Sequence, residues 1–197
     1  MKAFEKTLPN DYHPVYTIDA KNKKTLWRIN WLSLLLFFAT ITPLLLYFIH
    51  KTGLHLLLLL SAGTSHYFIL LVVYVTYVCG HEIVHGIAYW LLTHQKLSFG
   101  IAPGVAFCGV PDLFVYRRPA LVAVLAPLIT FGIVFSFAIL LSTRISWKIF
   151  WVLVLTVHIG GCSGDILVAC LMLFRFRSTT LLVRDTGPAQ TFYDIDM

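Results

Sequence analysis

The chain has 197 residues, a formal charge of +6, 58% hydrophobic residues and only 12% charged ones. Its mean hydropathy is +0.81. A soluble domain carries about a quarter charged residues, so this composition excludes a disordered chain and a soluble enzyme. It leaves room for roughly four to six membrane-spanning helices and no large soluble domain.

Residues 1–26 are polar, with Lys21, Lys23 and Lys24 abutting the first apolar run. That run, about 27–49, opens on Trp27 and Trp31, as an interfacial belt would. It has no small-residue cleavage site and is too long for a signal peptide, so it is expected to remain as an anchor. Residues 54–92 are apolar for about 39 positions, roughly 58 Å as one helix, nearly twice the hydrocarbon core. The small and polar residues from Ser61 to Ser65 are the natural break. They leave 54–60 as an interfacial or re-entrant piece and 66–92 as the second span. Residues 94–118 carry Gly100, Pro103, Gly104, Gly109 and Pro111. They suit either a re-entrant β-hairpin or a cytoplasmic loop with apolar residues lying on the membrane. A third span follows at about 119–141 and a fourth at about 147–174, then a polar tail, 175–197. The four cysteines form no CxxC pair, and three sit in or beside apolar runs, as packed small hydrophobes do.

The expected fold is thus an all-α polytopic membrane protein with about four transmembrane helices. Twelve of the 15 Lys and Arg fall in 1–28, 96–118 and 175–184; only Lys51, Arg144 and Lys148 fall in the alternate connections. The positive-inside rule then puts the 1–26 segment, the middle connection and the tail in the cytoplasm of an inner-membrane protein. In this setting the basic residues orient the chain in its bilayer, and no nucleic-acid partner is expected.

A charge at the bilayer centre costs about 2.5–3.5 kcal/mol on insertion scales. The four spans hold just two acidic residues, Glu82 and Asp165. Glu82 belongs to His81-Glu82-Ile83-Val84-His85, an HExxH motif. Positions i and i+4 share a helix face, so His81 and His85 can grip one metal ion together, while Glu82 is placed to take a proton from water. Zn2+ suits two imidazoles and a carboxylate. His85 lies 11 residues before Lys96 and Asp165 lies 10 before Arg175. Those offsets correspond to about 16 and 15 Å of helix, so the two sites fall at similar depth. Asp165 is the expected third ligand. His158, two turns earlier on the same face, is an alternative third ligand or a group hydrogen-bonded to a ligand, and is otherwise read as an interhelical hydrogen-bonding histidine about 10 Å further up.

The ordered set His81-Glu82-Ile83-Val84-His85-Gly86, Ala102-Pro103-Gly104, Leu125-Ala126-Pro127-Leu128 and His158-Ile159-Gly160-Gly161-Cys162-Ser163-Gly164-Asp165 resembles the bacterial "putative-zincin" multi-pass membrane family over essentially the whole chain. It is similar in plan to the site-2 protease class of intramembrane metalloproteases. The resemblance implies zinc bound by His81, His85 and Asp165, with Glu82 as general acid and base. One departure stands out: site-2 proteases typically carry the aspartate in an Asp-Gly pair, whereas Asp165 is followed by Ile166. The expected function is a membrane-embedded zinc metalloprotease that cleaves a membrane protein or peptide in or near its transmembrane segment. The alternative is a non-proteolytic membrane protein that uses the same cluster for proton or ion movement, or as a metal-dependent scaffold. No oligomeric state is legible in the sequence.

Overall fold

A computed structural model describes residues 2–52, 64–102 and 105–195. Strands β1 (Phe4–Glu5) and β2 (Tyr12–Asp19) precede helix α1 (Lys23–Thr52). Asn22 starts α1 by accepting the Lys24 N–H at 2.9 Å, as a capping residue does. Helix α2 (Thr64–Thr93) ends where His94 adopts φ 51°, the left-handed conformation common at helix ends. A hairpin of β3 (Ser98–Ala102) and β4 (Val105–Gly109) follows, then β5 (Phe114–Tyr116). Next come α3 (Arg117–Leu141), α4 (Ile145–Gly161), α5 (Ser163–Cys170) and a π-helical turn at Leu171–Arg175. Strands β6 (Leu182–Asp185) and β7 (Ala189–Ile195) finish the described chain.

The fold is mixed α/β, which corrects the all-α expectation. Five strands form an antiparallel sheet in the order β1-β5-β6-β7-β2. It draws together the segment before α1, the connection before α3 and the tail after α5, so these three segments lie on one side of the helices. Strand β2 pairs with β7 from Tyr12↔Ile195 to Asp19↔Ala189, with a bulge between Pro14 and Tyr16. Pro14 cannot donate to a ladder, and it sits at that bulge on an edge strand, where a missing N–H is tolerated. One core joins sheet and helices: Ile18, Val183 and Phe192 pack with Tyr89, Ala123, Val124, Val168 and Met172.

Three helical segments are long and apolar enough to cross a membrane: Lys23–Lys51, Leu71–Thr93 and Arg117–Leu141. The expected straight fourth span is instead Ile145–Gly161 plus Ser163–Arg175, bent by 47°, and makes a fourth crossing only if the pair counts as one span. The expected interfacial piece at 54–60 lies outside the described residues. Trp27, Trp31, Leu34, Leu35 and Phe38 line α1 fully open to the surroundings. An apolar strip of that extent is unusual on a soluble monomer and fits the length and composition that would let α1 cross a membrane.

Two glycine contacts tie the hairpin to its neighbours. A Cβ on Gly86 would lie 2.7 Å from the Phe99 ring, so β3 crosses the helix closely at this glycine and a larger residue would displace the ring. At the β6–β7 turn, Gly187 has φ +94° and lies flat against the Phe107 ring. Beside it, buried Asp185 accepts the Tyr89 hydroxyl at 2.8 Å and the Gly187 N–H at 2.8 Å. Burial raises the Asp185 carboxyl to about 6, against the opposing pull of the Gly187 and Tyr89 hydrogen bonds. An unfolded aspartate titrates near 3.9. Between those two values the native state holds a proton that the unfolded state has lost, so stability falls as pH rises from 4 through 6. Melting curves in detergent from pH 4 to 8 should therefore slope more steeply for wild type than for Asp185→Asn. The difference is on the order of 3 kcal/mol across that window; parallel curves would remove Asp185 from the pH response.

Candidate metal centre

Helix α2 sets His81 and His85 one turn apart on one face, with ring centroids 4.9 Å apart. The chain breaks at Cys162 between α4 and α5, and Asp165 in the first turn of α5 reaches both rings. Asp165 Oδ2 lies 3.2 Å from His81 Nε2, and Oδ1 lies 3.4 Å from His85 Nε2. Ligand atoms around tetrahedral zinc, each about 2.0–2.1 Å from the ion, are about 3.3 Å apart. Two of the donor distances, His81 Nε2 to Asp165 Oδ2 and His85 Nε2 to Asp165 Oδ1, match that edge length, one ligand atom from each residue lies within 4.8 Å of the others, and a set of two imidazoles and one carboxylate suits zinc.

The other ring nitrogens are held from behind. His85 Nδ1 donates to the Ala123 carbonyl at 2.9 Å. His81 Nδ1 meets the Tyr77 hydroxyl at 3.1 Å, Tyr77 meets His158 Nδ1 at 2.9 Å, and His158 Nε2 reaches the Leu128 carbonyl at 3.3 Å. A carbonyl only accepts, so His158 Nε2 donates and its Nδ1 accepts the Tyr77 O–H. The Tyr77 oxygen then accepts from His81 Nδ1–H. With each Nδ1–H engaged in this way, the Nε2 atoms of both histidines are the ones turned to Asp165, and they are the atoms that would serve a bound metal.

The structure thus brings His81, His85 and Asp165 together and leaves His158 behind them, fully buried and linked through Tyr77. A second group, His81, His158 and Cys162, also has ligand atoms within 4.8 Å of one another. There the Tyr77 hydroxyl already bridges the two histidines. Sequence reasoning missed Tyr77, although its signal was available: it precedes His81 by four residues on the same helix face.

Glu82 stands outside the three-donor group and lines a cavity of about 530 Å³ with His81, His85 and Asp165. The cavity's far wall is β4, through Ala106, Phe107 and Cys108, and the β6–β7 turn, through Asp185 and Gly187. Asn30, Ser33 and Phe37 of α1 and Tyr74 and Val78 of α2 line its other end. Among the described residues β4 pairs with β3 alone, so its other edge carries no strand.

Residues 70–181, more than half of the chain, match the family described as "Putative zincin peptidase". No curated protein and no solved structure matches the chain.

Proposed function

The chain belongs to the family described as "Putative zincin peptidase", and from that premise we propose that it is a membrane-embedded zinc metalloprotease of site-2-protease type. It hydrolyses peptide bonds in or near the transmembrane segment of a membrane protein or peptide. The observation that carries this is the triangle of His81, His85 and Asp165 at 3.2 and 3.4 Å, with Glu82 beside it on a cavity walled by two apolar helices. His81, His85 and Asp165 hold the zinc, which when bound supplies Lewis acidity to polarise a carbonyl and acidify water. Glu82 takes the proton from water and passes it to the leaving amine. The segment before α1, the middle connection and the tail are cytoplasmic. Two features support that sidedness: the charge asymmetry and the pairing of all three in one sheet.

Substrate must reach the cavity as extended chain, because the backbone groups of an intact helix are already satisfied. Strand β4, which walls the cavity, offers its edge away from β3 for strand addition. Deleting residues 99–110 should abolish cleavage and leave zinc content unchanged; cleavage at the wild-type rate would remove the hairpin from substrate binding.

Metal analysis of detergent-purified protein tests the proposal. Wild type should hold about one zinc per chain and His81→Ala none. Cleavage of a library of quenched transmembrane peptides should stop on chelation and return with zinc. Wild type that takes up no zinc, even on reconstitution, would overturn it.

A further inference from the structure

We infer that Pro127 is a positioning residue for metal binding: having no N–H, it leaves the Ala123 carbonyl free to take the His85 Nδ1–H, which aims His85 Nε2 at the ion. The inference rests on the zinc proposal. Pro127 lies inside α3, ten residues from its start. A helical carbonyl at position i normally bonds the N–H at i+4. At Ala123 that donor would come from residue 127, where proline has none, and the proline ring also pushes the carbonyl at i−4 out of line with the helix. Ala123 is fully buried and Pro127 is buried beside it, and a buried carbonyl takes a partner from wherever the fold offers one. That partner is His85, at 2.9 Å from the neighbouring helix.

The same helix supplies its own comparison. The Leu128 carbonyl has Gly132, a residue with an N–H, four positions on in the same helix, and its incoming histidine, His158, stands at 3.3 Å. The carbonyl freed by proline holds its histidine closer than the carbonyl that has such a residue ahead of it. The held tautomer matters because His85 has two acceptors within reach. Nε2 lies 3.4 Å from Asp165 Oδ1, so an imidazole released by Ala123 can turn its proton to Asp165 and present no lone pair to a metal. The proline of the Leu125-Ala126-Pro127 stretch thus acts through a carbonyl four residues before it.

The test is Pro127→Ala, which restores the N–H and favours the helix, with Pro43→Ala inside α1 as control. Two quantities are read in the full-length protein in detergent: the zinc dissociation constant, and the protection of the His85 Nδ1–H from water exchange in histidine-15N spectra of the metal-free chain. Pro127→Ala should weaken zinc roughly 10–100-fold, the cost of losing a group that orients a metal-bound histidine. It should also speed Nδ1–H exchange at least tenfold, with folding intact, while Pro43→Ala changes neither. Unchanged affinity, unchanged protection, or an equal effect of Pro43→Ala overturns the inference. If wild type binds no zinc, the zinc proposal falls separately, and protection still decides whether Pro127 directs the His85 hydrogen bond to Ala123.

Discussion

Glu82→Gln should lower cleavage by about 10²–10⁴-fold, the range for losing a general acid–base group, while zinc stays at about one per chain. Glutamine keeps the shape of the side chain, but it cannot carry a proton between water and amine. Zinc survives because Glu82 is not among the three clustered donors: one residue on from His81, it is rotated about 100° around the helix. Single-turnover cleavage measured beside metal content separates the possibilities. Cleavage at the wild-type rate would move the base elsewhere, and Asp185, which lines the same cavity, is the next carboxylate to test. A parallel loss of zinc would make Glu82 part of the metal shell. The inactive, zinc-loaded variant would also serve to trap substrate.

The site was more legible than the fold, for physical reasons. His81 and His85 announce themselves because the i, i+4 spacing converts directly into a shared helix face. Asp165 could be placed because depth along a membrane helix is simple arithmetic from the flanking basic residues, and the structure sets its carboxylate against both rings. The sheet had no such local code. Its strands run from two to eight residues, and β2 finds β7 more than 170 positions away. The proline in β2 also argues against a strand unless the edge position and bulge are already known. The first and last of these segments are more polar than the helices, carrying Glu5, Asp19, Arg184, Asp185 and Asp194 in their strands, and so read as tails. The break at Cys162 was half legible: Gly160 and Gly161 signal close approach, and a Cβ on Gly160 would lie 3.3 Å from the Ser33 carbonyl of α1, but nothing local sets the 47° bend. Pro127 was hidden for another reason. A proline in an apolar run reads as a kink, and only the three-dimensional partner of the carbonyl four residues before it reveals its use.

Asp165→Ala should weaken zinc by roughly 10²–10³-fold. An apparent zinc affinity of about 10–16 kcal/mol, spread over four ligands, assigns each about 2.5–4 kcal/mol, which corresponds to that range. Charge adds to the loss. Two neutral imidazoles leave the ion at +2 among apolar helices, whereas the Asp165 carboxylate brings the site to +1, and unpaired charge in such surroundings is costly. Asp165→Asn keeps an oxygen near the same place without the charge, and should fall between wild type and alanine. Cobalt substitution reports the same change as a shift of the visible bands, because one donor of the tetrahedron is altered. His158→Ala is the decisive companion. With Asp165 as a ligand, His158→Ala acts only through Tyr77 and should weaken zinc less, by about 10–100-fold. Should zinc survive Asp165→Ala and be lost in His158→Ala, the ion would belong to the group of His81, His158 and Cys162. The Tyr77 hydroxyl would then have to leave its place between the two histidines, and Glu82 would lie beside the wrong centre to act as base.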